Sequence, residues 1–410
     1  MKTFLEQAEF LSEQKNTHMT HIEDKVLYGG VEGTRQAINA LRELRDMLAG
    51  KHKGQVSMKW DGAPAIFAGT DPSDGKFFVA KKGIFNKDPK VYKTKADVDA
   101  DTSGDLNTKM NKALELLPAL GIKGVIQGDF LYGPGDLETK KIDGVSYTTF
   151  HPNTIVYAIP RDQSDELLTS EIGIVWHTTY NGDSFENMTA SYGVNVAGLK
   201  KSRKVWSQDA MMQDATDATL SAADTKRVNG FLKTAGNLFQ KISGSTLRQL
   251  EANQQLAQLI EQFNNTYVRK GAQIKDSRRH TIALQRWIND KFKKEKAKRS
   301  SEAGKATQQR KLDELMSFFD KKNTASLIAM FDLQKNLVSA KLLLINKLND
   351  ISGIDTFVKT KKGYTVTGQE GYVAIDQLGG SAVKLVDRME FSYNNFSPDI
   401  LKGWDTPGRN

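Results

Sequence analysis

Between Arg203 and Ile351 the chain has no proline, and the stretch is rich in Gln, Lys, Ala and Leu. Proline breaks a helix because it lacks the N–H donor and clashes with the preceding turn, so a proline-free run of this length can be helical throughout. Apolar residues recur at helical spacing over 247–263, 282–292 and 312–330, and 333–348 is apolar enough for a buried helix. On either side the pattern shortens to strand-length apolar runs. Before the stretch these are 55–59, 65–68, 77–80, 125–132, 154–159 and 173–179, punctuated by Gly, Pro and Asp, with helices expected at 31–48 and 106–120. After it come 364–367, 371–375 and 382–386. A few late strands would be marginal alone. The expected organisation is therefore an α+β domain built from 1–201 and 352–410, with a large all-α domain inserted at 202–351. Two domains also suit 410 residues, since single cores rarely grow past roughly 250 to 300.

There is no cysteine, which excludes disulfides, thiolate metal sites and cysteine nucleophiles. The N-terminal MKTFLEQAEFLSEQK carries acidic residues where a signal peptide needs an apolar run, and no stretch approaches the roughly 20 apolar residues of a membrane span. A soluble, cytoplasmic, monomeric protein is expected, with no membrane partner. The net charge is +9, and between Lys291 and Lys311 nine Lys or Arg stand against two Glu. Lys291, Lys293, Lys294, Lys296, Lys298 and Arg299 form the densest part, either a counterion-releasing surface for nucleic-acid phosphates or a solvated helix face.

Several motifs are set aside. His18-Met19-Thr20-His21 with Glu23 has no fourth metal ligand and reads as an exposed polar segment; His177, beside Trp176 in an apolar run, reads as structural. Gly29-Gly30-Val31-Glu32-Gly33 lacks the strand before it and the lysine after it that a phosphate-binding loop needs.

Lys59-Trp60-Asp61-Gly62 follows a strand-like run and precedes Ala63-Pro64, so a lysine stands at a strand end beside a turn. Alone this is an ordinary surface lysine before an Asp-Gly turn. About 310 residues later come Glu370-Gly371-Tyr372-Val373 and Ala382-Val383-Lys384-Leu385-Val386. In this order the motifs resemble those of the covalent nucleotidyltransferase superfamily of ATP-dependent polynucleotide ligases and capping enzymes, most closely its phage RNA-ligase branch.

The resemblance implies a ligase-type nucleotidyltransferase fold and assigns roles residue by residue. Lys59 would carry AMP, with Asp61 and Gly62 in its motif. Lys81-Lys82-Gly83 would supply the family's basic residue two before a glycine, through Lys81 and Gly83. Gly128-Asp129-Phe130-Leu131-Tyr132-Gly133 would bring Asp129, where the family has glutamate, to the nucleotide ribose. Tyr157 would stack the base, or else be core. Glu370 would support the metal, Mg²⁺, and Lys384 would hold the α-phosphate of ATP. The second lysine of that last motif is replaced by Val386, and Arg388 is expected two residues on, on the same strand face. Glu171-Ile172-Gly173-Ile174-Val175 is a rival to Glu370 at shorter spacing, but its glutamate and glycine are not adjacent. Only 26 residues follow Lys384, fewer than the oligonucleotide-binding barrel of DNA ligases needs.

The function so implied is ATP-dependent joining of 5′-phosphate and 3′-hydroxyl ends, of RNA before DNA, through lysyl-AMP, in the host cytoplasm if the source is a phage. Two alternatives stay open: a nucleotidyltransferase that modifies an RNA end or a protein without sealing, and a non-catalytic nucleic-acid binder.

Overall fold

The computed structural model describes residues 20–51, 55–211, 220–375 and 382–405. Fifteen strands lie among them: β1 Gln55–Lys59, β2 Ala65–Thr70, β3 Phe77–Ala80, β4 Val125–Tyr132, β5 Glu138–Ile142, β6 Val145–Phe150, β7 Ile155–Pro160, β8 Ile172–Asn181, β9 Thr189–Tyr192, β10 Val205–Asp209, β11 Asp355–Thr360, β12 Gly363–Val366, β13 Gly371–Ile375, β14 Ala382–Leu385 and β15 Ile400–Leu401. They make three sheets: β1-β13-β14; β10-β8-β4-β2-β3 with β9 on β8; and β12-β11-β7-β6-β5 with β15 on β11. Pairing is antiparallel except between β8 and β10. The mixed α+β class is as expected.

In the second sheet both faces are covered, which is why its strands read as nearly continuous apolar runs. Ile66, Ala68, Ile126, Phe130, Ile174 and Trp176 pack under α2 (Lys95–Asp101) and α3 (Gly104–Leu116), while Phe67, Phe78, Val125 and Tyr180 fill the other side. The first sheet alternates more strictly. Met58, Tyr372 and Leu385 are in register and buried, so the next positions along each strand face the opposite way. Its outer edge is not free: Met58 N–H donates to Ala210 O at 2.7 Å just past β10, linking the first two sheets.

The helices are α1 Gly30–Leu48, then α4 Ala222–Lys241, α5 Gly244–Ala252, α6 Gln254–Val268, α7 Ser277–Ala297, α8 Glu302–Ser317, α9 Lys321–Asp350 and α10 Arg388–Phe396. The helical character is as expected over 222–350, but β10 lies inside the stretch expected to be all helical, and the helix divisions differ. The run 247–263 is split at Asn253, whose side chain caps α6 by accepting from Leu256 N–H at 2.9 Å. The runs 312–330 and 333–348 divide instead at residues 318–320, where Asp320 accepts from Asn323 N–H, and α9 then continues unbroken.

The apolar stripe of α1, with Ala37, Ile38, Leu41, Leu44 and Leu48, packs against α4, α5 and α9. One hydrophobic core joins these helices to Met58, Tyr157, Tyr372 and Leu385 of the sheets. The core is thus continuous across residues 201/202 and 351/352. The β5–β6 hairpin, absent from the expected strands, turns at Asp143-Gly144 with both residues at positive φ (48° and 87°), the geometry that an Asp-Gly pair favours.

Candidate active site

Lys59 ends β1 directly opposite Gly371, and Lys384 on β14 stands opposite Val373 of the same middle strand. Directly paired residues point to the same side, so Ser57, Lys59, Val373 and Lys384 share the face turned away from the core. Gly371 has φ of +154°, and a Cβ there would come within 2.6 Å of Leu385 O. Glycine therefore lets β13 begin tight against β14 while Glu370 turns back to Lys59. The Glu370 carboxylate forms an ion pair with Lys59 Nζ. Its side chain is 9% exposed, that of Lys59 32%. Burial pushes the Glu370 carboxyl up to about 7 against the pull of Lys59, and Asp61 adds to the rise. Burial, with the charge of Lys59, holds the Lys384 ammonium below its ordinary range, and its Nζ stands 5.8 Å from the centre of the Phe391 ring on α10.

The turn after Lys59 is fixed from two sides. A Cβ at Gly62 would fall 2.6 Å from Asp129 Cβ and 2.8 Å from Phe130 O, so only glycine lets this turn lie on β4. Asp61 is buried, and its carboxylate accepts from Asn153 Nδ2 at 2.7 Å, Thr154 N–H at 2.6 Å and Ile155 N–H at 2.9 Å. Its own N–H donates to the Tyr157 hydroxyl at 2.6 Å. Asp61 is thus occupied in tying the turn to β7.

Tyr157 takes the core alternative. It is wholly buried, stacked on Phe150 (5.3 Å between centroids, 20°) and tilted against Trp60 (4.8 Å), so its ring has no free face for a base. Asp129 does come to the turn, half-buried beside Gly62, with Oδ2 3.5 Å from His177 Nε2. His177 also bonds the Thr178 hydroxyl through Nδ1 at 2.8 Å. His177, which reads as structural in the sequence, is set against Asp129 by β8, a placement that no periodicity signals.

Three other residues go elsewhere. Lys81 continues the alternation of Val79 onto the face covered by α2 and α3, where it pairs with Asp101 at 3.0 Å and lies over Tyr92. Asp129, in line with Ala65 and Phe67, is on the opposite face. Gly83 follows Lys81 into a short 3-10 turn, Lys82–Phe85, beside Lys90. Arg388 is not on an extended strand: β14 ends at Leu385 and Arg388 opens α10. Its guanidinium donates to Asp24 at 2.7 Å and lies 3.5 Å from Glu23, half-buried among the N-terminal residues. The rival Glu171 is at the start of β8, paired with Lys112 (2.9 Å) and Lys204 (2.8 Å).

The segment expected to be exposed near His21 is packed in. His18 lies outside the described residues. His21 bridges the backbone of Lys384, and burial pushes its imidazole down to about 3. Glu23 accepts from the fully buried Lys341 of α9 through both oxygens at 2.8 Å. The basic cluster occupies the end of α7 and the turn after it. Lys293, Lys294, Lys298 and Arg299 are exposed, whereas Lys291 donates to Gln262 and Lys296 to Gln309.

Among the described residues no three His, Cys, Asp or Glu side chains converge on a metal-binding point. No helix among them is long and apolar enough to cross a membrane. A model described as "Family of unknown function (DUF6267)" matches residues 16–399, so the chain belongs to that family. No curated protein and no solved structure matches the chain.

Proposed function

We propose that this family member is an ATP-dependent polynucleotide ligase, acting on RNA ends, that carries AMP on Lys59. One observation supports the reading above the others. Lys59 and Lys384 share one face of one small sheet, and Glu370, one residue before its middle strand and about 310 residues beyond Lys59, is in contact with Lys59. An ordinary surface lysine before a turn needs no such company.

In the first step Lys59 gives up its ammonium proton to solvent, and its amine forms a bond to the α-phosphorus of ATP while the bond to pyrophosphate breaks. Lys384 meets the phosphate charge, and Asp129 offers an acceptor to the ribose. The AMP then passes to a 5′-phosphate, freeing Lys59. A 3′-hydroxyl oxygen finally attacks that phosphorus and AMP departs, joining the strand. Little covalent chemistry falls to the protein beyond Lys59, so positioning and charge carry the rate.

The residues present fit Mg²⁺. This ion keeps several waters and takes one or two carboxylates plus substrate phosphates, and Glu370 is a carboxylate at the lysine whereas Asp61 is already satisfied within the fold. Glu370 would hold it, and when bound it supplies charge neutralisation at the triphosphate.

The test is labelling. Wild-type protein incubated with α-labelled ATP and Mg²⁺ should retain label after denaturation and join RNA bearing 5′-phosphate and 3′-hydroxyl ends. Lys59→Ala should carry no label while melting like wild type. Absence of label on folded wild type overturns the reading, and label on Lys59→Ala moves the nucleophile elsewhere. Label without joining would assign nucleotide transfer to an RNA end or a protein instead.

A further inference from the structure

A cleft of about 980 Å³ opens beside β1, on the side away from Lys59. Met58 and Trp60, the neighbours of Lys59 in sequence, line it together with Trp206 of β10. One edge carries Lys200, Lys201 and Arg203, all exposed, and among the described residues none of these three is in an ion pair. Glu166 and Asp209 also line the cleft, so its positive charge is concentrated along the 200–203 edge. Trp60 is 8% exposed, and its indole N–H is buried without an acceptor among the described residues. A buried donor left unpaired costs free energy unless something supplies an acceptor.

We propose that this cleft binds single-stranded polynucleotide, with phosphates on Lys200, Lys201 and Arg203 and a base against Trp206. The proposal rests on the ligase reading and names the surface that holds its substrate. Two features point to this occupant. The free cations suit a phosphate backbone, which releases counterions on binding. Trp206 is half-buried and presents the aromatic surface on which unpaired bases stack. ATP is not the occupant, because its reacting phosphate must meet Lys59 on the other face of β1; the strand held here is the part of the polynucleotide away from its reacting end.

The experiment uses full-length protein and a fluorescently labelled single-stranded RNA with a 5′-phosphate, titrated at several salt concentrations. Changing Lys200, Lys201 and Arg203 together to Gln alters only exposed side chains. It should weaken binding at least tenfold at low salt and lower the slope of log affinity against log salt by about 2, at roughly 0.7 per phosphate. Labelling by α-labelled ATP should remain at the wild-type level. Trp206→Ala should lose about tenfold in affinity. Because Trp206 also packs on Tyr132 and Phe150, Trp206→Phe serves as the partner variant and should keep most of the binding. Unchanged affinity and slope in the triple variant overturn the proposal. If wild type takes no label from ATP, the ligase reading fails on its own account; if it does and the triple variant binds RNA normally, the cleft proposal fails alone.

Discussion

Glu370 and Glu171 are both glutamates near a glycine at the start of a strand, yet their surroundings differ in kind. Glu370 is buried against Lys59, while Glu171 is a surface group shared by Lys112 and Lys204. Glu370→Gln should therefore lower lysine labelling by roughly 100-fold or more, the scale of losing one preorganised electrostatic group in a site. Glu171→Gln should stay within about twofold, an exposed pair being worth little. A labelling assay on folded variants measures both, and the reverse order would transfer the role to Glu171. That Lys59, Glu370 and Lys384 would stand together was legible in the sequence from the order of their motifs. What Asp61 and Tyr157 touch was not, because residue type does not say whether a polar group meets a ligand or the fold. The partners of Asp61, at Asn153, Thr154 and Ile155, come from a loop that only the tertiary structure brings near.

Among the elements, α7 is where the sequence reading and the geometry divide most usefully. Of its basic run, Lys293, Lys294 and Lys298 project into solvent, while Lys296 is held by Gln309. Changing Lys293, Lys294, Lys296 and Lys298 to Gln should flatten the salt slope of RNA binding by about 2 if these residues meet phosphates, and leave labelling by ATP near wild type. An unchanged slope would mark α7 as an ordinary solvated face. The strands of the first sheet could be read from alternation, and most helices from their apolar period. Their ends could not, because caps such as Asn253 and Asp320 decide them and a polar residue inside an apolar period looks the same whether or not it caps. Arg388 was misread for a related reason: Asp387 accepts from Met389 and Glu390 N–H, starting α10 where an extended strand was expected.

For the whole molecule, the sequence showed a helical stretch between strand-bearing parts but not what covers the apolar stripe of α1. Periodicity reveals that a face exists and not its partner. The partner is the helical stretch, and a buried charge pair holds the same junction. Glu23, in the N-terminal part, neutralises Lys341 of α9, whose side chain is 1% exposed. Glu23→Gln leaves that ammonium buried with a weaker partner and should cost about 3 to 5 kcal/mol in urea unfolding. Replacing both residues by Leu and Met should recover most of it. Equal losses in the single and double variants would show that packing volume, and not the uncompensated charge, sets the cost. The pairing of Lys59 with Gly371 also orders events on the ribosome. The strand with Lys59 emerges early, but its neighbour is made about 310 residues later, roughly 15 to 60 s at ordinary elongation rates. A nascent chain stalled anywhere in the helical stretch would hold that lysine without Glu370 or Lys384, and so, under the proposed ligase reading, would not yet react with ATP.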